Sequence, residues 1–173
     1  MDIVACDHAT HGAAILAILN DAIVTSTALF DYRPRPPESM VEWFRAKELR
    51  RFPVLGATSD DGTLLGFATY GTFRGWPAYK YTIEHSVYVH PEQRRKGIAR
   101  ALLTRLIAVA EEQDYHVMVA GIDATNAASI ALHEQLGFVH AGTIQHAGFK
   151  FGRWLDLAFY ELRLHTPAAP VDG

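Results

Sequence analysis

The strongest structural signal in the chain is a single stretch, Val87-Tyr88-Val89-His90-Pro91-Glu92-Gln93-Arg94-Arg95-Lys96-Gly97-Ile98-Ala99-Arg100. A β-rich run stops at a proline, a basic cluster with a glycine follows, and an amphipathic helical pattern then begins. Unpaired amide groups at the start of a helix bind phosphate, and the helix dipole favours an anion there. We therefore predict a phosphate-binding turn that leads into a helix beginning near Arg94.

The composition of this turn favours a bound anion, with a solvated basic helix start as the alternative. Gly97 lets the backbone approach a ligand closely, and Ala99 is small for the same reason. A basic start is unusual because the helix dipole prefers acidic residues there, and a bound polyanion would offset the mismatch. The turn lacks the Gly-Lys-Ser/Thr ending of a Walker loop and the glycines of a dinucleotide fingerprint. Coenzyme A, with its pyrophosphate and 3′-phosphate, is a matching ligand.

Outward from the turn, hydrophobic periodicity predicts the order β-α-α-β-β-β-α-β-α-β-β. The predicted strands span residues 2–6, 53–58, 63–72, 81–89, 117–122, 138–144 and 153–164. The predicted helices span residues 10–24, 37–50, 94–113 and 127–136. This order indicates an α/β (α+β) fold in which a mixed, mostly antiparallel sheet of about seven strands is flanked by about four helices.

The bulk properties set the class of protein. The chain has 173 residues, 49% of them apolar, and a net charge of −3, so it offers a full core but no global basic field for nucleic acid or an anionic membrane. We predict one domain over residues 1–164 and a disordered tail over residues 165–173. No signal peptide or membrane span is predicted, and the single cysteine, Cys6, is expected to pack rather than react. These features fit the cytoplasm.

Two motifs show a family resemblance. Arg94-x-x-Gly97-x-Ala99, directly after Val87–Val89, resembles the Q/R-x-x-G-x-G/A motif of the GNAT N-acetyltransferase superfamily. The run Asn126-x-x-Ser129-x-x-x-His133-x-x-x-Gly137-Phe138 is similar to that superfamily's later helix and its Gly-Phe ending. The segments 84–89, 126–129 and 148–156 further resemble the phosphinothricin and methionine sulfoximine/sulfone acetyltransferases. The resemblance implies an enzyme that acetylates the α-amine of a small amino-acid analogue.

The resemblance also implies how acetyl-CoA, as co-substrate, is held. The strand before the motif would pair with the pantetheine arm through Val87, Tyr88 and Val89. The pyrophosphate would lie on the turn, formed by Arg94, Arg95, Lys96, Gly97, Ile98, Ala99 and Arg100. Asn126 would contact the coenzyme near its thiol end. From its position alone Asn126 is a helix cap, and the two roles are compatible.

Acetyl transfer needs a neutral amine, stabilisation of the thioester oxygen and a proton for the departing thiolate. Glu84 is the candidate base, and an exposed strand carboxylate paired with Lys80 or Arg74 is the alternative. His133 stands where many GNAT enzymes have a tyrosine that acts as general acid toward the coenzyme sulfur. His133 is therefore a candidate general acid or a second base, and a packed helix histidine is the alternative. The Val89 amide is the expected donor to the carbonyl oxygen.

The acceptor and assembly are predicted more coarsely. The substrate-binding candidates are Phe30, Arg74, Trp76, Lys150 and Trp154, each of which has a core or surface role as its alternative. Arg74 suits an α-carboxylate, and Lys150 and Trp154 are candidates for closing the site across a homodimer interface that the resemblance implies. No metal is predicted, because the histidines show no ligand spacing. Direct transfer in a ternary complex is expected. Two other functions stay open: peptide or protein N-terminal acetylation, and a non-catalytic coenzyme-A sensor.

Overall fold

A computed structural model describes residues 1–172. The chain forms seven strands and four α-helices in the predicted order. Their bounds are β1 Asp2–Ala5, α1 His8–Thr25, α2 Ser39–Leu49, β2 Val54–Thr58, β3 Leu64–Thr72, β4 Thr82–Val89, α3 Ile98–Glu112, β5 Val117–Asp123, α4 Ala127–Gln135, β6 Val139–Lys150 and β7 Arg153–Arg163. Short 3₁₀ turns span Pro77–Tyr79 and Pro91–Gln93. Within residues 1–172, none of the helices has the length and hydropathy needed to cross a membrane.

The strands form one sheet in the order β1-β2-β3-β4-β5-β7-β6. The β4–β5 pair is parallel, with Glu84 opposite Val119 at the end of its ladder, and the pairs β1–β2, β2–β3, β5–β7 and β6–β7 are antiparallel. The last strand therefore inserts between β5 and β6. The predicted fold class, a mixed and mostly antiparallel sheet with helices, is confirmed.

Two predicted boundaries are wrong, namely the start of α3 and the end of β6. Helix α3 begins at Ile98 and not near Arg94, because Arg94 is extended and Arg95 and Gly97 have left-handed backbones, with φ of 63° and 78°. Strand β6 continues to Lys150, six residues past the predicted end at 144. A bulge between Ile144 and Gly148 lets the strand continue past the predicted end.

The first of two compact units contains residues 1–70 and 86–106. Its helix α1 starts where the Asp7 carboxylate accepts a hydrogen bond from the Thr10 amide at 2.7 Å, a regular N-cap. Apolar residues at helical spacing on α1 and α2 pack against β2 and β3. The buried cluster consists of Ile15, Ile18, Leu19, Met40, Val54, Leu64 and Phe67.

The second unit contains residues 71–85 and the chain from residue 107 onward. Antiparallel pairing of β5 with β7 and of β7 with β6 forms most of it. Past β7 the chain has no helix or strand up to residue 172, although the Val171 amide donates to Tyr81 Oη at 3.1 Å. The predicted disorder at Gly173 lies outside the described residues, and the single-domain span of 1–164 stays a prediction.

Candidate active site

The predicted phosphate-binding turn connects β4 to α3. After Val89 the chain makes the 3₁₀ turn Pro91–Gln93, and Arg95 and Gly97 then take positive φ before α3 begins at Ile98. Left-handed residues close together in a turn can direct neighbouring amide groups toward one side, as they do in an anion-binding nest. The first-turn amides of α3 have no partner within the helix and add to this site. The turn therefore fits a pyrophosphate.

The basic side chains around this turn are exposed, and two of them are already engaged. Lys96 Nζ donates to Gln93 Oε1 at 2.7 Å, and Arg94 Nη2 lies 3.7 Å from Asp21 Oδ2 on α1. A side chain built on Gly97 would meet nothing within 4 Å. Glycine is therefore favoured at this position by its backbone conformation, and the space above it is open for a ligand.

Glu84 lies in β4, half-buried, opposite Val119 of β5. Burial raises the pKa of its carboxyl group, while the positive charge of Arg74 lowers it. A Cβ added at Gly121 would lie only 3.1 Å from Glu84 Oε1, so the missing side chain there leaves room for the carboxyl group. A carboxylate whose pKa is raised binds a proton more readily, as a general base requires. Arg74, which the alternative interpretation pairs with Glu84, acts on that pKa as the smaller, opposing charge.

His133 lies on α4 and is only 1% exposed. Its Nδ1 is 2.7 Å from the Ser129 carbonyl oxygen, and its Nε2 is 3.0 Å from Nε2 of His85 on β4. Phe138 packs edge-on against both imidazole rings. Burial lowers the pKa of both histidines, that of His85 to about 3. Both ring nitrogens of His133 are thus engaged, and its partner is His85, not Glu84.

Asn126 caps α4, since its side-chain oxygen accepts a hydrogen bond from the Ser129 amide at 3.1 Å. The preceding loop is held by the buried Asp123 carboxylate. Asp123 accepts bonds from the Thr125 amide at 2.9 Å and from Arg153 Nη2 at 3.2 Å. The cap uses only the amide oxygen of Asn126, so a further contact through its Nδ2 is compatible with capping.

The predicted acceptor side chains divide between the units. Phe30 lies in the first unit and is exposed, in the loop between α1 and α2. In the second unit the Arg74 guanidinium lies over the Phe73 ring at 5.2 Å, and Trp76 is exposed. An arginine over one aromatic ring and two residues from an exposed tryptophan suits an amino-acid carboxylate with an apolar side chain.

The remaining two candidates lie at the β6–β7 hairpin. Lys150 is 4% exposed, with Nζ 5.0 Å from the Phe151 ring. Trp154 is exposed and packs against His146 and Phe149, with ring centroids 5.7 Å and 5.1 Å away. Their roles at the acceptor stay predictions.

Two further kinds of chemistry concern the Cys6 thiol and clusters of metal-ligating side chains. Burial, together with the charge of Asp7, raises the pKa of the Cys6 thiol to about 12, so almost no thiolate exists at neutral pH. Within residues 1–172, no group of three or more His, Cys, Asp or Glu side chains is placed to hold a metal ion.

Sequence reasoning missed His85 and Asp123 as parts of this region. The period of two along β4 places His85 on the same side of the strand as buried Ile83, which was a usable signal for a buried histidine. No local pattern indicates that Asp123 meets Arg153, because the partners lie 30 residues apart.

Comparison with known proteins defines the class. Residues 17–138 match the Acetyltransferase (GNAT) family. The chain belongs to this family and is a GNAT acetyltransferase, as its turn and element order predicted.

Three relatives show which members of the family this chain is similar to. The L-methionine sulfoximine/L-methionine sulfone acetyltransferase of Salmonella typhimurium is 44% identical, over 91% of this chain and 92% of the relative. The phosphinothricin N-acetyltransferase of Streptomyces viridochromogenes is 35% identical, over 91% of this chain and 85% of the relative. A Salmonella typhimurium acetyltransferase structure, solved with its cofactor acetyl-CoA, is 43% identical with a TM-score of 0.94, covering 99% of this chain and 98% of that chain. The predicted family and coenzyme class are thereby confirmed.

Proposed function

We propose that this enzyme transfers the acetyl group of acetyl-CoA to the α-amine of a small amino-acid analogue of the methionine sulfone, methionine sulfoximine or phosphinothricin type. The similarity to relatives that bear these names, along nearly the whole chain, supports the acceptor class. The observation that carries the chemistry is the half-buried Glu84 carboxyl, whose pKa is raised by burial. Direct transfer in a ternary complex fits the absence of a reactive thiol at Cys6, the chain's single cysteine.

The coenzyme roles follow the geometry of the turn and the family resemblance. The amides of Arg95 through Arg100 bind the pyrophosphate, Val87 and Tyr88 pair with the pantetheine arm, and Asn126 contacts the coenzyme through its side-chain amide. Bound acetyl-CoA supplies an activated acyl thioester. The left-handed backbone at Arg95 and Gly97 supports this assignment.

Glu84 accepts the proton that the acceptor ammonium must lose, directly or through water, and the amine nitrogen can then attack. The Val89 amide donates to the carbonyl oxygen as negative charge develops. The C–S bond breaks as the C–N bond forms, the nitrogen loses its second proton, and solvent carries that proton to the leaving thiolate. Arg74 pairs with the acceptor α-carboxylate, while Phe30 and Trp76 contact its side chain.

A thiol-release assay tests the proposal. Acetyl-CoA is combined with L-methionine sulfone, L-methionine sulfoximine or phosphinothricin, and with a tripeptide as the comparison acceptor. We expect turnover of at least one of the three small acceptors at a higher kcat/KM than that of the tripeptide. Preferred turnover of the tripeptide would indicate an N-terminal acetyltransferase. Acetyl-CoA binding by calorimetry without turnover of any amine would indicate a sensor, and no binding would refute the coenzyme assignment.

We also propose that the enzyme acts as a homodimer joined through the β6–β7 hairpin. Strand β6 is an edge strand that is exposed along most of its length. The hairpin exposes large apolar side chains, namely Val139, Ile144, Phe149, Phe151 and Trp154. An uncovered apolar edge of this kind promotes association, and a second copy presents the same self-complementary surface.

Sedimentation of the Phe149→Ser/Trp154→Ser variant tests the dimer. The wild type should sediment as a dimer and the variant as a monomer. Leu49→Ser, which removes a side chain that is 76% exposed on α2, is the matched control and should stay dimeric. A monomeric wild type at micromolar concentration would refute the homodimer.

A further inference from the structure

His85 and His133 form a buried pair of histidines in the second unit. Their Nε2 atoms are 3.0 Å apart, their rings lie within 17° of parallel, and their exposed fractions are 7% and 1%. A hydrogen bond between two imidazoles requires one donor nitrogen and one acceptor nitrogen. The direction of this bond therefore depends on where each ring carries its proton.

The surroundings assign both tautomers. The Ser129 carbonyl can only accept, so the His133 nitrogen that lies 2.7 Å from it, Nδ1, carries hydrogen. In the neutral ring Nε2 of His133 then has a lone pair, and Nε2–H of His85 must donate to it. The remaining nitrogen, His85 Nδ1, is buried and has no hydrogen-bond partner among the described residues.

These tautomers limit what His133 can do. Its inward nitrogen accepts a hydrogen bond and holds no proton to give to a thiolate. A second proton on either ring would place a charge in a site closed by the Phe138 ring, where desolvation opposes it. Within the pair, His85 is therefore the hydrogen-bond donor and His133 the acceptor, and the bond fixes both rings.

One chain of bonds connects this pair to two groups of the proposed site. The Asn126 side chain accepts from the Ser129 amide, the Ser129 carbonyl accepts from His133, and His133 accepts from His85. His85 is the neighbour of Glu84 on β4. The bonds thus run from the N-cap of helix α4 to the strand that carries the proposed base.

We propose that His85 is a positioning residue for acetyl transfer, which holds α4 against β4 through its hydrogen bond to His133 and so sets the positions of Asn126 and Glu84. This inference rests on the proposed function. His133 serves as the acceptor in this linkage, and the thiolate receives its proton from another source. Small displacements of reacting groups lower rates substantially, so loss of the bond should be visible in kinetics.

A double-mutant cycle of His85→Phe, His133→Phe and H85F/H133F tests the linkage. His85→Phe keeps a ring but leaves His133 Nε2 buried without a donor, and we expect Tm to fall by about 3–6 °C and kcat by about tenfold. H85F/H133F replaces both polar rings by apolar rings. Its Tm should return close to the wild-type Tm, and its kcat should recover to within about threefold of the wild-type rate. His85→Gln, whose amide can donate to His133, should retain most activity. His140→Phe is the control, since it removes an exposed histidine that bonds Thr143.

Two results would overturn the inference. A folded H85F/H133F variant with restored Tm but kcat reduced about 100-fold would show that His133 itself moves a proton. A His85→Phe variant with unchanged Tm, kcat and KM would show that the bond does not position the site.

Nitrogen-15 NMR of the wild-type protein tests the tautomers without an acceptor. We expect His133 protonated at Nδ1 and His85 at Nε2 at pH 7, and a proton on His133 Nε2 would refute the linkage. If no amine is acetylated by the wild type, the proposed function fails, while the Tm cycle and the NMR result still decide whether the two histidines are coupled as described.

Discussion

The carboxyl group of Glu84 lies in an environment unlike that of the surface glutamates. Glu84 is half-buried in β4, whereas the Glu42 side chain is 74% exposed and lies 3.5 Å from Arg45. Removing a carboxylate from water disfavours its charged form. This contrast gives a direct test of the base role.

Glu84→Gln should lower kcat at least about tenfold, because the amide cannot accept the amine proton. In the wild type, kcat/KM should fall as pH drops through the raised pKa of Glu84, since the protonated carboxyl is inactive as a base. That acidic limb should be absent from the residual activity of the variant, measured by thiol release between pH 5 and 9. Glu42→Gln is the control and should keep the wild-type profile. Wild-type kinetics in Glu84→Gln would end the base assignment.

Gly97 is needed for its backbone conformation, and a second glycine allows a matched comparison. Gly97 and Gly62 have φ of 78° and 83°, and an added Cβ would meet nothing within 4 Å at either position. Alanine at either position should therefore cost similar stability, about 1 kcal/mol. Only Gly97→Ala should also weaken acetyl-CoA binding, by about tenfold, because the nest of amides is distorted. Equal dissociation constants for the two variants, measured by calorimetry, would contradict the phosphate site.

At the scale of elements, the loop between α1 and α2 is bonded to helix α1 through Asn20. Asn20 on α1 accepts a hydrogen bond from the Arg35 amide at 2.7 Å and donates to the Arg35 carbonyl at 3.0 Å. An ion pair at 2.8 Å between Arg35 and Asp31 closes the same loop. This loop carries Phe30, which we propose contacts the acceptor.

Asn20→Asp changes one donor to an acceptor and places a carboxylate oxygen against the Arg35 carbonyl. The loop should loosen, so that chymotrypsin cleaves faster after Phe30 and Tyr32. We expect KM for the acceptor to rise about three- to tenfold while KM for acetyl-CoA stays constant. Asp60→Asn, on the exposed β2–β3 turn, is the control. An unchanged acceptor KM together with faster cleavage would show that the loop does not bind the acceptor.

For the molecule as a whole, the buried histidines predict sensitivity to acid. Both have pKa values below the usual 6.5 when folded, so below pH 6.5 the unfolded chain binds protons that the folded chain resists. Their contribution to stability is complete above pH 6.5 and is lost as pH falls toward the folded values. His85 alone should cost about 1–2 kcal/mol between pH 6.5 and 5.

Urea unfolding at several pH values measures this loss. The H85F/H133F variant should lose less stability than the wild type over the same range, since it has no histidines to protonate at this position. Comparison within the pair also cancels the contribution of Glu84, whose raised pKa acts in the opposite direction. Parallel curves for the two proteins would contradict the prediction.

Much of this architecture was predictable from local sequence. Element order follows from the periods of two and 3.6 in the apolar residues, and the phosphate turn follows from a proline, a glycine and basic residues between strand and helix. Even the Asn126 cap is a short-range signal. The start of α3 at Ile98 was misjudged because the left-handed conformation of Arg95 is uncommon for a residue with a side chain.

Local sequence by itself determined the elements, their order, the glycine-containing turn before α3 and the family motif, because each depends on residues only a few positions apart. Tertiary structure decided the insertion of β7 between β5 and β6, the bond between His85 and His133 across 48 residues, and the clamp from Arg153 to Asp123. These pairings depend on which distant segments meet when the sheet forms. Burial and hydrogen bonding in the paired segments outweigh the entropy cost of closing the loops between them. No local pattern in the chain encodes that balance.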